Sequence, residues 1–237
     1  FKKYGFAVIK NLLTKKKIKE IKEEISKIKI KSLIIKNPHV HLTKDKKINT
    51  IHNINKYLKK GKIIDFSKSK KIKKIVNEIL EDDFKIRNIE FFLKPKKTGM
   101  ASPHHQDNYY WKIKNKKAIN IWVACSKANI NNGGVYYISG SHKHGLKKHI
   151  TSFSPGSSYK IKDNIIKKMK SKKIYPSLNT GDAIIHHCEV IHGSAPNKSN
   201  IDREGLVISF KANSAIIDRK KLKSYHLNVK KNLNYLK

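Results

Sequence analysis

The hydrophobic period of this chain changes at Asp83, and that change limits the folds open to it. Upstream, Ile18, Ile21, Ile25 and Ile28 recur at three- and four-residue steps, the spacing of one helix face, and Thr14 stands where a cap would open that helix. Ile72, Ile75, Val76, Ile79 and Leu80 repeat the pattern over a second helix at about 69–81. Downstream the period is two. In 118–125, Ile119, Ile121 and Val123 alternate with Asn120, Trp122 and Ala124, so a strand puts the two sets on opposite faces. Further strand-like runs occupy 84–93, 135–138, 183–191 and 206–210, set off by residues that favour turns. Two helices followed by many short strands predict a mainly β fold, a sandwich or barrel with helices on one face. The chain reads as one domain, 1–237, with a helical part at about 1–83, a β-core at about 84–213 and a C-terminal tail at 214–237. Residues 36–62 are polar and read as loop. The Gly/Ser-rich stretch 155–158 leads into a Lys-rich helical insert near 161–171, a candidate lid.

The charge of the chain invites a nucleic-acid partner: 54 Lys and Arg oppose 17 Asp and Glu among 237 residues, a net +37. Its make-up argues otherwise. Fifty-one of the cations are lysines, and the arginines are Arg87, Arg203 and Arg219. Lys, Ile and Asn, all abundant here, share A/T-rich codons, whereas a base-reading protein uses arginine's planar fork. A nucleic-acid partner is therefore not expected, and each arginine becomes informative. No run of 18 apolar residues marks a membrane span. No charged-then-apolar segment opens the chain, and Phe1 in place of Met points to a trimmed or incomplete start. Two cysteines, Cys125 and Cys188, cannot build a disulfide framework and fit a reducing, cytoplasmic setting. With no heptad pattern, a monomer is expected.

The run His104, His105, Gln106, Asp107 carries the chemistry. Residues i and i+2 of an extended segment point to one side, so His105 and Asp107 could share a metal ion. His192, which follows a strand-like run 85 residues after Asp107, is the candidate third ligand. Two histidines and one carboxylate form the facial triad of non-haem Fe(II) oxygenases, and the same donors suit zinc. Eleven residues further on, Arg203 could hold a dicarboxylate through its fork.

With these residues in this order, the chain resembles the phytanoyl-CoA dioxygenase family of Fe(II)/2-oxoglutarate oxygenases. The resemblance runs from the opening YGFAVI at 4–9 to about Ala212. It rests on Lys94 before Pro95, the HQD run at 105–107, Trp122 in IWVA, and Gly133 and Gly134. It continues through Gly140 to Lys143, Gly181 with Asp182, His192 to Ser194, Asn197 and Arg203. It implies a double-stranded β-helix core, the cupin-like jelly roll, with iron at its mouth on His105, Asp107 and His192. It implies 2-oxoglutarate bound by Arg203 and Ser194, in a pocket lined by Trp122 and Asn120 and contacted by Lys94, with O2 as the other cosubstrate. The implied reaction hydroxylates a small-molecule or acyl-type substrate and converts 2-oxoglutarate to succinate and CO2. Halogenating relatives replace the carboxylate at the position of Asp107, so its presence favours hydroxylation. Tyr110 is the candidate substrate contact. His104, His186 and His187 are expected to support the site, the Gly140–Ser141–His142 stretch to shape a loop, and Cys188 to be a small buried residue. Two other readings stand beside this one: an inactive binding member of the same fold, and a lysine-rich nucleic-acid binder that leaves the His105, Asp107, His192 and Arg203 set unexplained.

Overall fold

This computed structural model describes residues 1–34, 39–154 and 157–234. In chain order, β1 (Phe6–Ile9) and α1 (Lys15–Ile34) lead to β2 (Val40–Leu42) and β3 (Ile48–Ile51). Helices α2 (Ile54–Tyr57), α3 (Lys62–Ser67) and α4 (Lys70–Leu80) precede the long strand β4 (Phe84–Lys94). Then come β5 (Ser102–His105), the single turn α5 (Asn108–Trp111), β6 (Ala118–Ala124) and β7 (Val135–Ile138). The hairpin β8 (His149–Ser154) and β9 (Ser157–Ile161) is followed by α6 (Asp163–Lys168). The remaining elements are β10 (Lys173–Ile174), β11 (Ala183–His187), β12 (His192–Ser194), β13 (Arg203–Ala212) and α7 (Arg219–Asn234).

The strands form a seven-stranded sheet, β1-β11-β6-β13-β4-β3-β2, and a four-stranded sheet, β10-β7-β12-β5. Alternation along β6 assigns the faces. Ile119, Ile121 and Val123 join Leu206, Ile208 and Phe210 of β13 in a core with Ile18, Ile21 and Ile25 of α1 and Ile72, Val76 and Leu80 of α4. Trp122 and Ala124 face the other way, in a second core with Val207, Tyr137 and Val190. The large sheet thus has helices on one side and the small sheet on the other, and the fold is the expected jelly roll. Both helices start as their sequences direct. Thr14 Oγ1 accepts from the Lys17 N–H at 3.3 Å, and Ser69 Oγ accepts from the Ile72 N–H at 3.4 Å. At the end of α4, Glu81 adopts a left-handed conformation (φ 51°) and stops the helix.

Several segments differ from the sequence reading. The strand-like opening at Phe6, Val8 and Ile9 is β1, and the helical part also supplies β2 and β3 to the large sheet. Residues 36–62 are not a loop: β3 pairs with β4, and Asn49, Thr50 and Ile51 are buried there. Polar residues on a cavity-facing strand hide the alternation that would have announced it, and 36–38 lie outside the described residues. The run 183–191 breaks after His187, so that His192 begins a strand of the other sheet. The candidate lid packs against the small-sheet side, with Ile165, Ile166 and Met169 against Ile138, Ile161 and Ile191; Pro155 and Gly156 lie outside the described residues. The tail forms α7, whose Tyr225 packs against Tyr109, Tyr110 and Tyr159.

Candidate metal centre and its cavity

Strands β5 and β12 pair with His105 directly opposite His192, and the two rings lie 4.4 Å apart between centroids. The chain leaves the extended conformation before Asp107, which has helical angles (φ −60°, ψ −35°) at the start of α5. The i, i+2 rule for a strand therefore does not explain how His105 and Asp107 meet. A turn swings the carboxylate back under the strand. The three donor atoms lie within 4.8 Å of one another, with Asp107 Oδ1 at 3.6 Å from His105 Nε2 and 3.8 Å from His192 Nε2.

The hydrogen bonds around these donors set their protonation. His105 Nδ1 donates to the Pro103 carbonyl at 2.8 Å, and His192 Nδ1 donates to the Val190 carbonyl at 3.0 Å. A carbonyl only accepts, so both protons sit on Nδ1 and both Nε2 lone pairs face the centre. Burial, partly offset by Asp107, pulls the His192 pKa down to about 3. Burial alone would raise the Asp107 carboxyl, but the facing histidines, His192 foremost, hold it well below the usual carboxylate range. Asp107 Oδ2 accepts from Asn120 Nδ2 at 2.7 Å and from His186 Nε2 at 3.1 Å. Tyr137, buried and so held in its protonated form, donates to His186 Nδ1 at 3.0 Å, which fixes the proton on the Nε2 that faces Asp107. Two imidazoles and one carboxylate, each oriented by a second hydrogen bond, fit a divalent ion with positions left open.

A cavity open to solvent joins this triad to a second group of charges. Arg203 opens β13 opposite Lys94 on β4. Both side chains are buried, at 2% and 4% exposure. Among the described residues no carboxylate lies within 4 Å of either cation. The flanking acids are engaged elsewhere: Asp202 accepts from the Lys96 N–H, and Glu204 pairs with Lys22. Arg203 Nε and Nη1 have no hydrogen-bond partner, and Lys94 Nζ donates to the Ala195 carbonyl. Burial lowers the Arg203 guanidinium to about 9, and burial with Arg203 alongside pushes the Lys94 ammonium well down. The guanidinium lies 5.4 Å from the Trp122 ring. Gly205 makes room for that ring, since a Cβ there would fall 2.1 Å from Trp122 Cζ2.

The cavity lining brings together His105, Asp107, His192, Arg203, Ser194, Trp122, Asn120 and Lys94. Tyr110 is not part of it: the ring stands edge-on to His105 at 5.7 Å, and its hydroxyl is spent on the Tyr159 carbonyl. His104 faces away, toward Tyr136 and Asp163. Sequence reasoning missed Tyr137 behind His186, and it missed Thr50, Glu90 and Phe92 in the cavity wall. A signal for two of these existed: Glu90 and Phe92 precede Lys94 by four and two residues, so alternation along β4 places all three on one face. Thr50 had none, because its strand was not recognised.

Fold and donor set define a jelly-roll protein with a two-histidine, one-carboxylate metal site. The chain belongs to the phytanoyl-CoA dioxygenase family, whose model matches residues 1–205. It is 30% identical over 128 residues to Phytanoyl-CoA dioxygenase 1 of Oryza sativa subsp. japonica, covering 51% of this chain and 42% of that protein. It is 26% identical over 224 residues to the peroxisomal phytanoyl-CoA dioxygenase of Homo sapiens, covering 89% and 66%. The chain therefore spans under half of the rice relative and about two thirds of the human one. The crystal structure of EctD from S. alaskensis with 2-oxoglutarate and 5-hydroxyectoine has the same fold, with a TM-score of 0.75 at 15% identity over 91% of this chain and 75% of that one. Among the described residues, no helix is long and apolar enough to cross a membrane.

Proposed function

We propose that this chain is an Fe(II)/2-oxoglutarate-dependent dioxygenase that hydroxylates a small-molecule substrate. The observation that carries the reading is the pair of buried, acid-free cations, Arg203 and Lys94, in the same cavity as the metal-binding triad. When bound, Fe(II), 2-oxoglutarate and O2 supply the oxidising chemistry, turning 2-oxoglutarate into succinate and CO2 and a substrate C–H bond into C–OH. His105, Asp107 and His192 hold the ion and, being three rather than four, leave places for cosubstrates. Asp107 keeps its charge because Asn120 and His186 both donate to it.

Arg203 binds the far carboxylate of 2-oxoglutarate through its planar guanidinium, whose Nε and Nη1 have no partner in the fold and whose fork a lysine point charge could not match. Lys94 adds a second positive charge, Ser194 adds a hydroxyl, and Trp122 closes the wall beside the guanidinium. The dianion thereby offsets the buried guanidinium and favours the protonated form of Lys94, and the low-dielectric wall strengthens the contact. The test is succinate formation from 2-oxoglutarate with Fe(II) under air. Wild-type protein should turn over, slowly alone and faster with a matching substrate, and His105→Ala should abolish it. Turnover that survives His105→Ala would remove the triad from the mechanism.

A further inference from the structure

The cavity that holds the proposed cosubstrate is cationic at one end and acidic at the other, and this second feature bears on which molecule is hydroxylated. The inference rests on the oxygenase reading above. Along β4 the cavity is lined by Glu90, Phe92 and Lys94, at every second position, with Leu93 between the last two. Four residues of strand place Glu90 about 13 Å from Lys94. Glu90 and the metal ligand Asp107 are the acids of the lining. Glu90 Oε1 meets His52 Nδ1 in a close hydrogen bond, and among the described residues no hydrogen bond reaches Oε2 of this partly exposed side chain. Val207 lies opposite Glu90 on β13 and offers no donor.

Other acids of low exposure are closed by lysine: Asp182 by Lys10 at 2.9 Å, Glu189 by Lys116 at 3.1 Å, Glu204 by Lys22 at 2.6 Å. In a chain with 51 lysines, Glu90 faces none within 4 Å among the described residues; Arg87, whose guanidinium lies over the Trp111 ring at 4.7 Å, attracts Glu90 from a distance and makes no ion pair with it. A second acceptor stands in the same wall. Asn120 must aim Nδ2 at Asp107, because a carboxylate only accepts, so its Oδ1 is fixed in place, buried and without a partner. Two acceptor atoms in the wall without a hydrogen bond of their own are complementary to a ligand group that donates.

We propose that Glu90 binds an ammonium or amidinium group of the substrate, and that the molecule hydroxylated is a cationic small molecule rather than an acyl chain. An acyl chain would cover Glu90 with apolar carbon and leave its free oxygen unsatisfied. His52 holds the carboxylate from one side and leaves Oε2 for the ligand.

The test uses the full chain with Mn(II) in place of Fe(II), 2-oxoglutarate present, and proton NMR line broadening as readout. The probes are n-butylammonium, n-butanol and butyrate at equal concentration near pH 7. Butylammonium should be broadened at least about tenfold more than the other two, the size of one charge-assisted hydrogen bond. Glu90→Gln should bring it down to the level of butanol. Equal broadening of the three probes in the wild type, or a preference for butyrate or butanol, overturns the inference without any variant. Persistence of the ammonium preference in Glu90→Gln overturns it as well. The methylene signals of 2-oxoglutarate in the same tube read the metal and anion site separately. Their failure to broaden overturns the oxygenase reading, whereas their broadening without an ammonium preference overturns the role of Glu90 alone.

Discussion

Replacing Arg203 by Met should make the ligand-free protein more stable and its 2-oxoglutarate binding much weaker. The opposite signs follow from the surroundings of one side chain. Burial holds the guanidinium at about 9, against 12.5 for an exposed one. At about 1.4 kcal/mol per pH unit, keeping that charge buried costs at most about 5 kcal/mol. No carboxylate among the described residues offsets it. Apolar replacement of buried charges elsewhere stabilises by roughly 1–4 kcal/mol, and methionine's flexible thioether suits the space. For a domain of this size the melting temperature should rise by roughly 2–10 °C. The same substitution removes a fork that would contact a carboxylate through two charge-assisted bonds. Truncating one partner of such a pair costs roughly 2–5 kcal/mol, or about 30-fold to several thousand-fold in affinity. Arg203→Lys should fall between, since it keeps the charge and loses the fork. Thermal melts with and without Mn(II) and 2-oxoglutarate, with calorimetric titration of 2-oxoglutarate, measure both effects. A ligand-free Arg203→Met protein that melts below the wild type would refute the reasoning, because it would mean that the guanidinium is satisfied within the fold and is not reserved for an anion.

Acid should destabilise the fold in a defined window. Burial holds His149 at about 3 and His41 at about 4, while both take up protons near 6.5 in the unfolded chain. Their contribution is therefore complete above 6.5 and is lost as the pH falls from 6.5 toward about 4 for His41 and about 3 for His149, at up to about 1.4 kcal/mol per pH unit for each. Urea titrations at pH 7 and pH 5 check this, and equal stability at the two would contradict it. Gly205→Ala should lower stability by about 1–3 kcal/mol and weaken 2-oxoglutarate binding, because the added methyl meets the stiff Trp122 ring at 2.1 Å and displaces a ring that lies 5.4 Å from the Arg203 guanidinium. Thermal melts and the same titration read both, and unchanged affinity would separate Trp122 from the anion pocket.

Much of this protein is legible in local pattern. The period of two over 118–125 was enough to put Asn120 and Trp122 on one face and Ile119, Ile121 and Val123 on the other, because side-chain direction in a strand depends only on the neighbouring residues. The helical stripes at Ile18, Ile21 and Ile25 and at Ile72, Val76 and Leu80 marked the faces that cover the sheet for the same reason. Arg203 was legible as an exception, an arginine in a chain that otherwise uses lysine. The tertiary structure alone decided how these parts meet. His192 stands opposite His105 through a strand pairing that no local window contains. Asp107 reaches the histidines from a helical turn, held there by Asn120 on β6 and His186 on β11. Thr50 enters the cavity wall because β3 adds to the edge of β4, where its polar side chain faces a cavity instead of a core and so escapes any search for apolar alternation. Chain-local period sets which way a side chain points. The long-range pairing of strands sets what it points at, and the chemistry of this site depends on the second.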